Sequence, residues 1–272
     1  MDDIQWEQLV PEGEVLLRYG AGVAEITLNR PEASNGMTVD LLSTLYDVVM
    51  RCHGDSRVRA VVLRGAGKNF CAGGDVKDFA AKGEGLPDYL RQATSYLQIV
   101  AGALMRLNAP VIASVHGFAA GGGGVGLVCA SDFVIAGESA KFLTGATRAG
   151  MAPDAGSSVT LQRLVGFRKA MEMLIRNPVV PAAEALDIGL ITSVVPDADL
   201  EAETYALALE IAAGAPLAFA ATKRLLWNGI GGNVETAFPE ESRTVSELSG
   251  TADAREALAA VIERRKPTFT GR

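Results

Sequence analysis

Val111-Ile-Ala-Ser-Val115, then His116-Gly-Phe-Ala-Ala120, Gly121-Gly-Gly-Gly124 and Val125-Gly-Leu-Val-Cys-Ala-Ser-Asp132, is the stretch that decides the fold. Val111 to Val115 follow Pro110 as a β-branched run, which reads as a buried strand. The small residues from Ala119 to Gly124 permit a turn that no bulky side chain could follow. From Val125 to Ala130 every residue is apolar or small, as suits a helix buried on all sides. A turn of this kind leaves backbone N–H groups unpaired at the helix start. The helix dipole helps them hold a phosphate or a developing oxyanion. Against phosphate, no Lys-Ser/Thr follows the glycines. The Gly-x-Gly-x-x-Gly spacing also comes too early in the turn, with no acidic ribose partner at the expected distance. A purely architectural use of the glycines, letting two helices pack closely, stays open at this point.

A chain of 272 residues with 49% apolar side chains can bury a full core, which excludes wholesale disorder. The net charge of −7 and pI near 5.0 argue against a nucleic-acid groove or an anionic membrane as main partner. Local basic residues could still hold an anionic small molecule. The amino-terminal Met-Asp-Asp-Ile-Gln-Trp-Glu lacks the basic and apolar regions of a secretory leader, and no apolar run approaches ~18 residues. A cytoplasmic protein is therefore expected. Cys52, Cys71 and Cys129 are odd in number and scattered, as suits reduced thiols. His53 and His116 have no Cys or acidic cluster at ligand spacing, so no metal site is expected and His116 reads as a structural residue at a strand end.

In chain order, Val15–Tyr19 and Val23–Leu28 flank Gly-Ala-Gly as a β-hairpin, which Pro31 terminates. Thr38 caps a helix from about Val39 to Cys52, with Leu41, Leu42, Leu45, Val48, Val49 and Cys52 on one face. Ala60–Leu63 is a short buried strand before Gly65-Ala66-Gly67. This order suggests a parallel-leaning α/β core with crossovers. Ala72-Gly73-Gly74 then forms a second small-residue turn before Asp75 and a helix start, with Lys77 able to approach an anion. Gly83, Gly85 and Pro87 mark a loop before a helix near Tyr89–Leu107. Phe133–Ala136 and Lys141–Leu143 read as strands. Helices follow from Pro153 to Leu164, from Phe167 to Ile175, and from Glu184 to a C′ residue at Gly189. From Leu200 onward Ala-rich amphipathic helices dominate, broken at Pro216, Gly229–Gly232 and Pro239.

Asn-Arg-Pro at 29–31, Phe-Cys-Ala-Gly-Gly-Asp-Val-Lys at 70–77 and the glycines after His116-Gly117 together resemble the enoyl-CoA hydratase/isomerase (crotonase) family, in order and spacing. The resemblance runs from about Val15 to the end. It implies an α/β fold, a crotonase-like spiral of ββα units with a helical C-terminal trimerisation part. Residues 1–199 then form the core with the CoA and acyl sites, and 200–272 the oligomerisation region of a homotrimer or dimer of trimers. It also implies an acyl-CoA thioester substrate, with coenzyme A entering as part of the substrate and no separate cofactor. CoA- and substrate-binding positions fall on Ala33, Asn35, Ala72, Gly74, Asp75, Val76, Lys77, Gly122, Gly123 and Phe269. One oxyanion-hole N–H belongs to Gly74 and the other to the helix-entry glycine. Between Gly117 and Asp132 the chain has one residue more than the common pattern. Counting back from Asp132 selects Gly123, and counting forward from Gly117 selects Gly122. Gly123 is preferred, because a loop absorbs an extra residue more easily than a packed helix.

The hole is generic, so the acid/base groups decide the reaction. The two glutamates of the family's hydratases fall here on Gly126 and Ala146, and neither can transfer a proton. Asp154, after Pro153 at a helix start, matches a carboxylate used by relatives of the epoxyphenylacetyl-CoA isomerase type. The expected activity is therefore enoyl-CoA isomerisation with Asp154 as proton shuttle. The alternatives are a hydratase with a non-standard acid/base set, in which Asp78 or Glu84 enters the site, or a non-catalytic acyl-CoA-binding member. An aspartate here could also cap its helix, and the cap N–H groups would then lower its pKa. Arg148 is placed either toward the acyl group or on the surface.

Overall fold

The computed structural model describes residues 4–272, so the first three residues of the amino-terminal segment read above lie outside the described residues. The elements are β1 (Glu7–Val10), β2 (Val15–Gly20), β3 (Val23–Leu28), α1 (Val39–Gly54), β4 (Ala60–Gly65), α2 (Val76–Ala81) and α3 (Leu86–Arg106). Next come β5 (Val111–Val115), β6 (Phe118–Ala120), α4 (Gly121–Cys129), β7 (Phe133–Gly137), β8 (Lys141–Leu143), α5 (Ser157–Val165) and α6 (Phe167–Met171). The chain closes with β9 (Val180–Pro181), α7 (Ala182–Asp187), β10 (Ser193–Val195), α8 (Leu200–Ala213), α9 (Pro216–Gly229), α10 (Val234–Ser249) and α11 (Ala252–Glu263).

Alternation along the strands divides the interior into two layers. Ala24, Ile26 and Leu28 of β3, Val61 and Leu63 of β4, and Val111, Ala113 and Val115 of β5 face the larger core, beneath α1 and α3. Val23, Val62, Ile112 and Ile135 point the other way and meet Leu200, Ala208, Ile211 and Ala212 of α8. The seven-stranded sheet runs β1-β2-β3-β4-β5-β7-β10, antiparallel through β3 and parallel beyond it. A second sheet, β6-β8-β9, takes the short strands. The boundary at Leu200 is one of element type, since α8 covers a face of the sheet.

The spiral follows from this pairing. Each turn runs through a strand of the large sheet, a short extended piece, and a helix back. The short pieces bridge turn to turn: Met37 to Gly74, and Cys71 to Ala119. Consecutive turns therefore stack their strand-to-helix junctions, which brings Met37, Gly74 and the glycines after Ala120 side by side. Where two such junctions touch, only glycine serves. Gly73 and Gly121 both have positive φ, and a Cβ on either would stand about 3.1 to 3.2 Å or less from the other turn's backbone.

Thr38 caps α1 by accepting from the Leu41 N–H, and the six apolar residues expected on its inner face are those that are buried. Two readings are corrected. The helix placed at Tyr89 begins at Leu86, because Pro87 sits in the first turn, where no N–H donor is needed. Pro239 does not break its helix, since α10 runs through it from an Asn233 cap. The carbonyl it leaves unpaired belongs to exposed Glu235. The strands β1, β9 and β10 were not expected, and β6 occupies part of the stretch read as a turn.

Asp132 anchors α9 to this core. Its Oδ2 accepts from Val111 N–H at 2.7 Å and Lys223 Nζ at 2.6 Å, and its Oδ1 from Trp227 Nε1 at 2.7 Å. Lys223 also donates to the Leu104 and Ala109 carbonyls. Burial lowers the Lys223 pKa against the opposing pull of Asp132. All three thiols are buried, and desolvation pushes each up to about 12. His116 Nε2 lies 3.0 Å from the Gly67 carbonyl and His53 Nε2 2.9 Å from that of Ala103, so both histidines serve architecture.

Candidate active site

The stacked junctions open into a cleft of about 630 Å³. Its floor is Met37, Leu42 and the glycines of α4, and α3 supplies one wall through Leu86, Leu90, Ala93, Thr94 and Leu97. Among the described residues lining it, Asp154 carries the only ionisable side chain.

Gly74 is held by its neighbours. Met37 N–H donates to the Gly73 carbonyl at 2.7 Å, and Asp75 N–H to the Met37 carbonyl at 3.0 Å. Parallel pairing of this kind directs Gly74's own N–H to the opposite edge, and no described residue accepts it. Behind the turn lies Asn35, fully buried and at φ +55°. Its amide nitrogen donates to the carbonyls of Ala66, Asn69 and Phe70, and its Oδ1 accepts from Arg30 N–H. The Cys71 thiol donates to its backbone carbonyl. Arg30 of the Asn-Arg-Pro motif reaches Glu14 at 3.1 Å and Asp75 at 3.2 Å.

Opposite Gly74, the N–H groups of Gly121, Gly122 and Gly123 belong to the first turn of α4, which has no upstream carbonyl to receive them. Gly121 has φ +62°, so the chain turns there and the right-handed helix continues from Gly122.

Asp154 reaches the cleft from the segment before α5. Its side chain does not cap that helix: Gly156 is the cap residue, and Ser157 N–H and Oγ donate to the Asp154 carbonyl. Without cap donors, burial raises its carboxyl pKa above the ordinary 3.8, opposed only by its own backbone N–H. The expected downward shift is thus reversed. Ala146 lines the cleft from a 3₁₀ turn (Ala146–Ala149). A π-helical turn, Glu172–Arg176, extends α6 and pins this wall, its Met173 and Leu174 carbonyls accepting from Thr144 and Thr147. Arg148 donates to the Asn177 carbonyl and does not line the cleft.

Of the positions expected to bind substrate, Ala72, Gly74, Val76, Gly122 and Gly123 line the cleft with Asp154. Asn35 and Asp75 hold the backbone instead, the latter capping α2 through the Lys77 and Asp78 N–H groups. Ala33, exposed Lys77 and half-buried Phe269 lie outside the lining. The Phe269 carbonyl accepts from Arg59. Asp78 is occupied by Lys82 at 2.8 Å; burial opposes its ionisation, but Lys82 and Tyr89 outweigh that and lower its pKa. Glu84 is exposed. Sequence reading missed Met37 and the α3 wall, although the apolar spacing of 86, 90, 93 and 97 signals the latter.

The sequence model of the enoyl-CoA hydratase/isomerase family matches residues 18–272. A protein of Rhodobacter capsulatus named probable enoyl-CoA hydratase is 40% identical over 258 residues, covering 94% of this chain and 98% of its own. A 1,2-epoxyphenylacetyl-CoA isomerase of Escherichia coli is 32% identical over 260 residues, covering 95% and 98%. The crystal structure of an enoyl-CoA hydratase from Bacillus anthracis superposes with a TM-score of 0.90 at 33% identity, covering 96% of this chain and all of that one. The chain, with its spiral of stacked junctions and paired glycine turns, belongs to the enoyl-CoA hydratase/isomerase family.

Proposed function

We propose that this enzyme isomerises an enoyl-CoA, moving a double bond between the β,γ and α,β positions. The Gly74 and Gly123 N–H groups hold the thioester oxygen as negative charge develops, and one such donor is typically worth ~2.7–4 kcal/mol. The Asp154 carboxylate takes a proton from the α-carbon, leaving a dienolate and a neutral acid. The same acid returns that proton to the γ-carbon, giving the 2-enoyl thioester and restoring the carboxylate. No metal or redox group enters this sequence. The chain turn at Gly121 supports Gly123 over Gly122, since the extra residue is absorbed before the right-handed helix.

One observation carries the choice of isomerase over hydratase: among the described residues a single carboxylate lines the cleft. Hydration needs an activated water and a second proton donor. The raised Asp154 pKa, caused by burial, suits a group that must serve first as base and then as acid. A panel of 3-enoyl-, 2-enoyl- and arylacetyl-CoA substrates, assayed with wild type and Asp154→Asn, tests the reading. Efficient 2-enoyl-CoA hydration that survives Asp154→Asn would overturn it.

Assembly as a homotrimer or dimer of trimers belongs to the same proposal. Exposed Val234, Phe238 and Val245 of α10 and Leu258, Val261 and Ile262 of α11 supply apolar surface for it. Light scattering that gives a mass near 28.4 kDa at all concentrations would exclude it.

A further inference from the structure

Gly122 and Gly126 lie one helical turn apart on the same face of α4, and residues 154 and 155 sit on that face. A Cβ on Gly122 would stand 1.5 Å from Asp154 Oδ1. A Cβ on Gly126 would stand 2.6 Å from the Cβ of Ala155. Neither glycine has positive φ, so close approach, not backbone conformation, is what excludes a side chain. Ala155 itself is buried and left-handed at φ +52°, a conformation that is unfavourable for a residue with a Cβ. Packing against α4 is what holds it there.

We propose that Gly126 and Ala155 are positioning residues: the bare backbone at 126 seats the Ala155 methyl, and this contact delivers the Asp154 carboxyl to Gly122 beside the oxyanion N–H groups. The inference rests on Asp154 being the proton shuttle. The helix cannot yield, since α4 is buried from Gly123 to Cys129. Carbon atoms pack at about 3.5–4.0 Å, so a methyl at 126 displaces the 154–155 turn by about 1 Å. A misplacement of that size costs on the order of 10²-fold in rate.

The test compares wild type, Gly126→Ala, Ala155→Gly and the double variant, all in 3-enoyl-CoA isomerisation. Gly126→Ala lowers kcat by about 10²-fold with little change in KM. The midpoint of its kcat–pH profile moves down toward an ordinary aspartate as the carboxyl gains water. Ala155→Gly, which leaves the seat empty, lowers kcat by about tenfold. In the double variant the new methyl meets only the residue 155 Cα, at 3.9 Å, and kcat and midpoint recover. A double variant no faster than a folded Gly126→Ala overturns the inference. If Gly126→Ala fails to fold, an Ala155→Gly protein with wild-type kcat and pH midpoint overturns it alone. Asp154→Asn in the same assay separates the two levels. Full activity there removes the shuttle itself, whereas its loss beside a silent Ala155→Gly removes only the positioning role.

Discussion

The two sides of the cleft are built by opposite means. The Gly74 side is tied by hydrogen bonds: Asn35 serves three carbonyls, and Met37 pairs across both of Gly74's neighbours. The Asp154 side has no such network. Among the described residues its carboxyl has no partner beyond its own backbone, and it lies against Gly122 of α4 while the Ala155 methyl lies against Gly126. On the proposed chemistry the Gly74 side holds charge, and a charge-holding site must be rigid before substrate arrives, which bonded backbone provides. The Asp154 side is proposed to carry a proton, and a proton carrier must stay unpaired, because every bond to its carboxylate would weaken it as a base.

The sharpest way to break this contrast is Asp154→Asn. Isomerisation falls by about 10²–10⁴-fold, while thermal unfolding shows no loss of stability, since no partner is orphaned. A variant that is inactive and also unfolds early would show the carboxyl to be a structural group. Asn35→Ala tests the other side. It strands buried carbonyls, each costing about 1–3 kcal/mol, so the denaturant midpoint falls clearly at unchanged slope. A stable Asn35→Ala protein would mean that the Gly74 turn is held elsewhere.

The pH dependence comes next in size. A carboxyl with a raised pKa binds its proton more tightly in the folded state. Its contribution therefore favours folding at low pH and is lost as pH rises from 3.8 through the raised value. Turnover rises across the same window as the base ionises. Asp154→Asn removes this component from the stability profile, which denaturant unfolding across acid pH checks against wild type. Smallest of all, Glu84→Gln leaves kcat/KM within about twofold, because an exposed side chain off the cleft has no role in proton transfer. A large loss there would place a second carboxylate in the working site.

How much of this was legible depended on range. The hairpin, the Thr38 cap and the six buried residues of α1 are local patterns and read correctly. The strands β6 and β9 are three and two residues long and exist through β8, distant in sequence, while β1 is four residues long and meets β2 through a bulge, so no periodicity announces them. Pro87 and Pro239 were read as breakers, where position within the helix decided the outcome. At the site, the motifs pointed to both glycine turns and to Asp154. They could not show that Asn35 and Asp75 hold backbone away from the cleft lining. Nor could they show that burial, with no cap donor, sets the Asp154 pKa, because both depend on which loops the spiral brings together.

The bridges from Met37 to Gly74 and from Cys71 to Ala119 make successive turns present their junctions to one shared space. Such an architecture lets heritable change act on reagent and receptacle separately. Position 126 in α4 is bare and packed against Ala155, position 146 in the turn after β8 is a methyl, and the carboxylate stands farther along the same coil at 154. On the proposed chemistry, a lineage can thus move its reactive group from one coil to the next, and so alter what it makes, without rebuilding the glycine turns.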